Sequence, residues 1–210
     1  MLVTTMNEEE AIKEMSEDLP SLMRYIDHQE KDFRRMVIKT TKFPVYQTIE
    51  YVSPRKNRWI AIHEARNKSM YFDRCIVTFF VTYNTPGGLY AILVTLYNGA
   101  AKYIFYCPHF FSRYAERMNL NLTGIDLLKC YFKRNANYVF TRKHPDVVGT
   151  AQDGIALGFE TEYGNFMFKT FVSNEMLKGE QVGDFLLNNN FREEYQQKQL
   201  AADLKEVKNA

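Results

Sequence analysis

Cysteine is scarce in this 210-residue sequence, and its three cysteines follow no spacing typical of a zinc or redox motif. An odd number of cysteines without a C-x-x-C pair indicates reduced, packed thiols, as in cytosolic proteins. No run approaches the roughly 18 apolar residues that a membrane-spanning helix needs. The first residues also lack the basic and then apolar segments of a secretory signal. We therefore expect a cytoplasmic protein without a membrane segment.

Motifs for metals and phosphates are missing as well. His63-Glu64 matches half of the zinc motif H-E-x-x-H, but position 67 is Asn, and strand alternation places the two side chains on opposite faces. The Gly87-Gly88 pair is not followed by the Gly-Lys-Ser/Thr of a phosphate-binding loop. We expect neither a metal nor a cofactor. The net charge of +2 names no partner, so only local clusters of charge can indicate one.

Aromatic residues, in contrast, are abundant, with 16 Phe and 14 Tyr in a chain that is 46% hydrophobic. Such a composition excludes a disordered chain and supplies a substantial core. Residues 7 to 41 have a helical pattern, in which Asn7 can cap and Glu8, Glu9 and Glu10 occupy a first turn that favours negative charge. Because Pro20 interrupts this pattern, we predict two helices, over 8–18 and 20–40.

The pattern changes to strand alternation after Pro44. It predicts an antiparallel meander of five strands, with a hairpin at the N-T-P-G-G stretch between the third and the fourth. The predicted strands are Val45–Val52, Arg58–Arg66, Arg74–Tyr83, Leu89–Tyr97 and Lys102–Tyr106.

Two helices and further strands follow the meander. One helix opens at His109, and a second has Thr123 at its N-cap and Asp126 at the third position, a variant of the capping box. The strands predicted after them are Tyr138–Arg142, Val147–Thr150, Gly154–Glu162 and Asn165–Ser173, and a C-terminal helix follows Glu175.

The predicted fold class is therefore α+β: an antiparallel β-meander followed by a helix-helix-strands module, with a helical N-terminal extension and a C-terminal helix. We expect two antiparallel sheets or one strongly bent sheet. The predicted organisation is an extension over 1–41, an α+β core over 42–177, and a C-terminal helix with a polar tail over 178–210.

One helix face attracts particular attention. His109, Arg113 and Arg117 lie at positions i, i+4 and i+8, so they line one side of the helix that follows the meander. Phe111, Tyr114, Ala115 and Met118 face the other way and give the helix a side to bury.

His109, Arg113 and Arg117, the stripe on this helix, lie in a basic region. Between residues 102 and 145 eight basic residues and two acidic ones give a net charge of +6, against +2 for the chain. Basic charge interleaved with tyrosines (Tyr103, Tyr106, Tyr114, Tyr131 and Tyr138) suits a nucleic-acid backbone and unstacked bases. His109 and His144 bracket the region, and two imidazoles with arginines can cleave RNA without metal by general acid–base catalysis.

The order of a helix with H-x-x-x-R-x-x-x-R, a second helix, and strands ending in K-T-F-V-S over residues 169–173 resembles the RelE-, barnase- and EndoU-like superfamily of small ribonuclease toxins, including phage-borne and BrnT-like relatives. The resemblance covers residues 102–177. It implies catalytic roles for His109, Arg113, Arg117 and a late-strand hydroxyl, Ser173 or Thr170. It implies RNA contacts at Lys129, Lys133, Arg134, Arg142, Lys143, His144, Lys169 and Thr170. The meander and the N-terminal helices have no counterpart in the compact toxins.

A purely architectural role for the stripe is the competing interpretation. Arg113 could pair with Glu116 or Asp126, and His109 could form a local hydrogen bond. Two hypotheses on function follow. The first is an RNA-binding or metal-independent ribonuclease-like protein of phage or mobile-element type. The second is a non-catalytic binding or assembly protein, whose helical ends contact a protein partner or another copy.

Overall fold

A single long helix, α1 (Glu8–Lys39), opens the fold. The computed structural model describes residues 1–71, 75–97, 100–135, 137–179, 181–183 and 185–194. Asn7 caps α1 through a reciprocal capping box with Glu10, as its sequence position suggests. The predicted break at Pro20 is wrong, because the helix continues through it. Met15, Leu22 and Ile26 on both sides of Pro20 are buried along one face, and this shared burial outweighs the lost hydrogen bond.

The five strands of the predicted meander follow. Each pairs antiparallel with the next. The third and fourth join through the two-residue turn Pro86-Gly87, after which Gly88 begins the fourth strand with a positive φ of 120°. Residues 74 and 98–99, which carry the predicted start of one strand and part of a turn, lie outside the described residues. The strands are β1 (Val45–Val52), β2 (Arg58–Ala65), β3 (Ile76–Thr85), β4 (Gly88–Tyr97) and β5 (Ala100–Tyr106), with a 3-10 turn at Lys68–Tyr71.

The helix-helix-strands module comes next, as predicted. Thr123 is the N-cap of the second helix, but its side chain makes no capping hydrogen bond, so the proposed capping box with Asp126 is wrong. Gly124, at φ 56°, turns the chain there instead. The elements are α2 (Pro108–Arg117), α3 (Gly124–Arg134), β6 (Val139–Lys143), β7 (Asp146–Thr150), β8 (Gly154–Glu160) and β9 (Phe166–Ser173).

All nine strands form one mixed sheet, in the order β1-β2-β3-β4-β5-β9-β8-β7-β6. Two antiparallel meanders therefore meet at the parallel pair of β5 and β9. Of the two predicted arrangements, the single sheet is the one found. In the pairing of β8 with β9, Leu157 of β8 lies opposite Thr170 and Gly158 lies opposite Phe168. Lys169 of β9 is therefore the extra residue of a β-bulge.

The sheet is covered on both faces. Alternation along β2 directs Ile60 and Ile62 into the core shared with α2 and α3, and Trp59 and Ala61 into the core beneath α1. The first core is strongly aromatic and includes the buried Phe residues of β9, Phe166, Phe168 and Phe171.

A C-terminal helix, α4, covers residues 181–183 and 185–194, after a 3-10 turn at Asn174–Met176. Asn188 attaches α4 to the edge of the sheet, because its side-chain amide donates to Thr141 of β6 at 3.0 Å and to Thr150 of β7 at 3.3 Å. The predicted α+β class with helices at both ends is confirmed. The predicted polar tail begins at Arg192; residues 192–194 still belong to α4, and residues 195–210 lie outside the described residues. None of the helices in the described part of the chain has an apolar stretch long enough to cross a membrane.

Candidate functional site

An open groove of about 620 Å³ lies where three parts of the fold meet: the start of α1, the β3–β4 hairpin, and the passage from β5 into α2. The side chains that matter for chemistry in its lining are Glu8, Tyr83, Tyr90, Cys107 and His109. Glu8 and His109 are far apart in the sequence, so only the tertiary fold places them in the same groove.

Two stacked tyrosines form an aromatic surface in the groove. Tyr83 and Tyr90 are opposite each other in the β3–β4 register, and their ring centroids are 5.4 Å apart with planes inclined by 23°. Burial and the neighbouring Tyr90 raise the pKa of Tyr83 to about 12, and burial and the nearby Cys107 raise the pKa of Tyr90. Both phenols are therefore neutral near pH 7, and both residues are half-buried in the wall of the groove.

His109 enters the groove at the N-terminal end of α2. Cys107 is the N-cap of this helix and Pro108 its first residue. The backbone N–H of Cys107 donates to the carbonyl of Phe168 at 3.3 Å, and its thiol donates to the carbonyl of Lys169 at 3.5 Å. These bonds to β9 fix the start of α2, and they leave the His109 side chain exposed to solvent.

The predicted stripe on α2 is divided between two roles. Arg113 Nε donates to His109 Nε2 at 3.3 Å, while its Nη1 donates to Glu116 Oε2 at 2.7 Å. Arg117 instead donates from Nη1 to the backbone carbonyl of Phe171, which ties the end of α2 to β9. His109, which lines the groove, is therefore paired with Arg113, which does not line it, and Arg117 serves the packing of α2.

Glu8 is held by the turn between β8 and β9. Its Oε1 accepts hydrogen bonds from Thr161 Oγ1 at 2.7 Å and from Asn165 Nδ2 at 2.8 Å. Both bonds end on the same oxygen, so they orient the carboxylate at the wall of the groove.

The late-strand hydroxyls do not line this groove. Ser173 is only 4% exposed and pairs with Gly154 in the β8–β9 register. Thr170 pairs with Leu157, and the Nζ of the exposed Lys169 lies 4.6 Å from the centre of the Phe159 ring. Among the described residues that line the groove, none of these three is present. The structure therefore brings His109 and Arg113 together but does not add the late-strand residues.

In the described part of the chain, three of the seven basic residues predicted to contact RNA are paired with carboxylates. Carboxylates from elsewhere in the chain reach these three, which reduces the net charge of +6 counted along the sequence. The pairs are Lys129–Glu50 at 2.6 Å, Arg134–Asp153 at 2.7 Å and Arg142–Glu160 at 3.2 Å.

The other basic residues of that set are scattered. His144 is exposed on the turn between β6 and β7, and strands β8 and β9 lie between it and the β5–α2 junction that carries His109. The backbone of Lys143 pairs with Asp146 beside this turn. Lys133 lines a different pocket, together with Arg134. His109 and His144 thus do not share a site.

The interleaved tyrosines are a correction to the sequence-based prediction. Tyr103, Tyr106, Tyr114 and Tyr131 are buried, and Tyr131 accepts a hydrogen bond from the partly buried Tyr138. Tyr106, Tyr114, Tyr131 and Tyr138 belong to the aromatic core between the sheet and the helices α2 and α3, whose apolar sides face inward. Tyr103 belongs to the core beneath α1.

Three groove residues, Glu8, Tyr83 and Tyr90, were missed by sequence reasoning. The two tyrosines are each three positions from the Pro86-Gly87 turn, so a two-residue hairpin register could have paired them. Nothing in the sequence indicates that Glu8 reaches the groove, because its position is that of an ordinary acid in a first helical turn.

In the described ranges, no three His, Cys, Asp or Glu side chains are grouped closely enough to hold a metal ion. No family model matches the chain, and no similar protein is found among curated proteins or solved structures.

Proposed function

We propose that the protein binds single-stranded RNA in the groove beside α2 and cleaves it without a metal ion. The observation that carries this proposal is the position of His109. The imidazole is exposed at the rim, is paired with Arg113 at 3.3 Å, and lines the same groove as the stacked Tyr83 and Tyr90.

Binding follows from the aromatic surface. Unpaired bases stack on tyrosine rings, and each stacked base contributes about 1–3 kcal/mol to affinity. Arg113 supplies a guanidinium within reach of the RNA backbone. A phosphate oxygen would compete with His109 Nε2 for the Arg113 Nε–H, because a charged acceptor forms the stronger hydrogen bond.

The chemistry needs one group that accepts a proton and one that donates it. The carboxylate of Glu8 accepts the proton of the 2′-hydroxyl as this oxygen attacks the adjacent phosphorus. His109, released by Arg113 and protonated, donates its proton to the leaving 5′-oxygen. Arg113 stabilises the charge that develops on the phosphorane. The products are a 2′,3′-cyclic phosphate and a 5′-hydroxyl, and no metal enters the balance.

The test is cleavage of a fluorescent single-stranded RNA in the presence of EDTA. We expect wild-type protein to cut it, and His109→Ala and Glu8→Gln each to lower the rate by about 10²-fold or more. Arg113→Ala should lower it as well. The matched control is Ser112→Ala, because Ser112 neighbours Arg113 on α2, is exposed, and hydrogen-bonds only to the carbonyl of Pro108 among the described residues.

Unchanged cleavage in both His109→Ala and Glu8→Gln would refute the site. Absence of cleavage with retained binding would reduce the proposal to an RNA-binding protein. Absence of both would refute it altogether.

A second candidate, an assembly protein, is favoured by α4. Val182, Leu186, Leu187 and Phe191 lie at i, i+4, i+5 and i+9, and all four are exposed, the last two at 57%. A helix with such an apolar stripe gains stability by burying it. We infer a second copy of this chain as the occupant, because a twofold axis lets one stripe cover its own equivalent.

Sedimentation velocity separates this candidate from the first. A dimer that Leu187→Glu or Phe191→Glu converts to a monomer, with RNA cleavage unaffected, supports it. A wild-type protein that is monomeric at 100 µM, well above the range of stable dimers, refutes it.

A further inference from the structure

A second pocket, of about 360 Å³, lies apart from the RNA groove. Its walls come from the approach to β1, the end of β2, the C-terminal end of α3, the β7–β8 turn, and α4. Its volume falls within the range typical of sites for small molecules. The pocket therefore offers a site that the proposed RNA chemistry does not use.

Positive charge dominates its lining. Four cationic side chains and one carboxylate line it: Arg66, Lys133, Arg134 and Arg192, with Glu64. Arg66 Nε donates to Glu64 at 2.6 Å, so this carboxylate is already engaged. Arg134 donates two hydrogen bonds to the carboxylate of Asp153, which does not line the pocket.

Arg192 and Lys133 carry the unbalanced charge. The Arg192 side chain is only 12% exposed, and it donates at 2.7 Å and 3.2 Å to Asn189 Oδ1, a neutral acceptor on its own helix. Its nearest carboxylate among the described residues is that of Glu193, at 3.9 Å and mostly exposed. Within the described ranges, Lys133 has no carboxylate partner within 4 Å.

Burying a guanidinium without a carboxylate close to it is costly, and a second cation nearby increases the cost. Burial lowers the pKa of Arg192, and Arg66 lowers it further, whereas Glu193 raises it. A bound anion would relieve this repulsion, since guanidinium and ammonium groups are the side chains that bind phosphate oxygens most strongly.

We propose that this pocket binds the phosphate group of a small phosphomonoester of the mononucleotide class. Lys133 and Arg192 contact the phosphate, and Tyr46 and Phe43, which also line the pocket, provide an aromatic edge for a base. A pocket of this volume is larger than a lone phosphate needs, so it has room for the rest of a nucleotide.

Isothermal titration calorimetry at low salt tests the proposal with three probes: adenosine 5′-monophosphate, inorganic phosphate and adenosine. We expect saturable binding of the monophosphate, weaker binding of inorganic phosphate, and none of adenosine at equal concentration. Equal affinities for the two phosphate probes would retain the phosphate site and overturn the nucleotide class. Equal binding of adenosine, or no binding of either phosphate probe at 10 mM, would overturn the proposal.

Two variants and a control locate the site. Lys133→Gln and Arg192→Gln should each weaken binding of the monophosphate about tenfold, the effect of one lost charge-assisted hydrogen bond. Lys178→Gln, an exposed lysine outside the pocket, should leave it unchanged. Since Arg192→Gln could detach α4, Lys133→Gln decides the matter: unaltered affinity there would refute the assignment.

Discussion

Arg134 and Asp153 form a two-pronged ion pair that fastens the end of α3 to the β7–β8 turn. Arg134 donates to the Asp153 carboxylate from Nε at 2.8 Å and from Nη2 at 2.7 Å. The same carboxylate accepts from the Tyr114 hydroxyl at 2.7 Å and from Asn135 Nδ2 at 3.0 Å. One buried aspartate thus connects α2, α3 and the sheet. It lies next to the second pocket, which Arg134 lines.

Replacing Asp153 by Asn should destabilise the protein without removing its shape. The neutral amide keeps the volume but loses the charge-assisted bonds, and we expect the free energy of unfolding to fall by about 1.5–3 kcal/mol. The measurement is urea denaturation followed by circular dichroism. Asp126→Asn, at an acid that is 73% exposed on α3, is the control and should change stability little. Equal effects of the two substitutions would contradict the role of Asp153.

Glu14 should make stability fall in acid. Its carboxylate accepts from Arg55 Nη2 at 2.5 Å and Asn57 Nδ2 at 3.0 Å, and the Arg55 bond, opposed by burial, lowers the pKa of Glu14 from 4.5 to about 2. Because the folded pKa is depressed, this contribution is present above pH 4.5. It is lost as the pH falls from about 4.5 to about 2 and amounts to roughly 2–3 kcal/mol.

The measurement is the urea midpoint of wild type and Glu14→Gln at pH 5.5, 3.5 and 2.5. The difference between the two proteins should shrink steadily as the pH falls. Glu9→Gln, at an exposed acid in the first turn of α1, serves as the control. A constant difference between wild type and Glu14→Gln would disprove the linkage.

His63 should produce a second pH dependence, closer to neutrality. It is fully buried, stacked on Phe33 with ring centroids 5.1 Å apart, and neither ring nitrogen has a hydrogen-bond partner in the described part of the chain. Burial lowers the pKa of His63 below 6.5. Below pH 6.5 the unfolded chain therefore binds a proton that the folded protein resists, so stability decreases as the pH falls.

Thermal unfolding of wild type and His63→Leu between pH 7.5 and 5 tests this dependence. At pH 7.5 the variant should lie within about 1 kcal/mol of wild type, since the nitrogens it removes are unpaired. At pH 5 it should be relatively more stable. His28→Gln, at an exposed histidine of α1, should retain the wild-type slope. Parallel curves for wild type and His63→Leu would rule the mechanism out.

The sequence predicted the strands well, because residues that alternate between two buried faces leave a clear pattern. Trp59 and Ile60 of β2 are an example, since each is buried in a different core. It failed at Pro20, where a local rule for helix ends opposed the burial of a long apolar face. Local propensity loses to tertiary packing in such cases, and only the sheet beneath α1 reveals the outcome.

The sequence predicted which residues of the candidate site lie on one helix face, but not which residues are exposed or paired with acids. The i, i+4 spacing correctly brought His109 and Arg113 within hydrogen-bond distance. The count of charges along the chain did not include Glu50, which is 79 positions from Lys129 in the sequence but forms a hydrogen bond with it in the fold. Tyr114 and Tyr131 share the aromatic character of RNA-binding residues, yet they are buried. Exposure depends on the whole fold and is absent from any short motif.

Tyr90 provides the sharpest test, independent of cleavage, of the proposal that the groove beside α2 binds RNA. Tyr90→Ala removes one ring of the pair that Tyr90 stacks with Tyr83. We expect the free energy of binding to a single-stranded RNA to become less favourable by about 1–3 kcal/mol. Tyr90→Phe keeps the ring and should bind nearly as well as wild type. Fluorescence anisotropy in EDTA, with RNA carrying 2′-methoxy groups to prevent cleavage, provides the measurement.

The control for Tyr90 is Tyr163→Ala, because Tyr163 is a 56% exposed tyrosine on the β8–β9 turn that does not line the groove. Tyr90→Ala also removes the ring contact with Tyr83, so its thermal stability must be compared with that of Tyr90→Phe. If Tyr90→Ala remains folded at the assay temperature and binds RNA as tightly as Tyr90→Phe, the bases do not stack there. The groove would then be a feature of the α1–sheet junction, and His109 would have no RNA bound beside it.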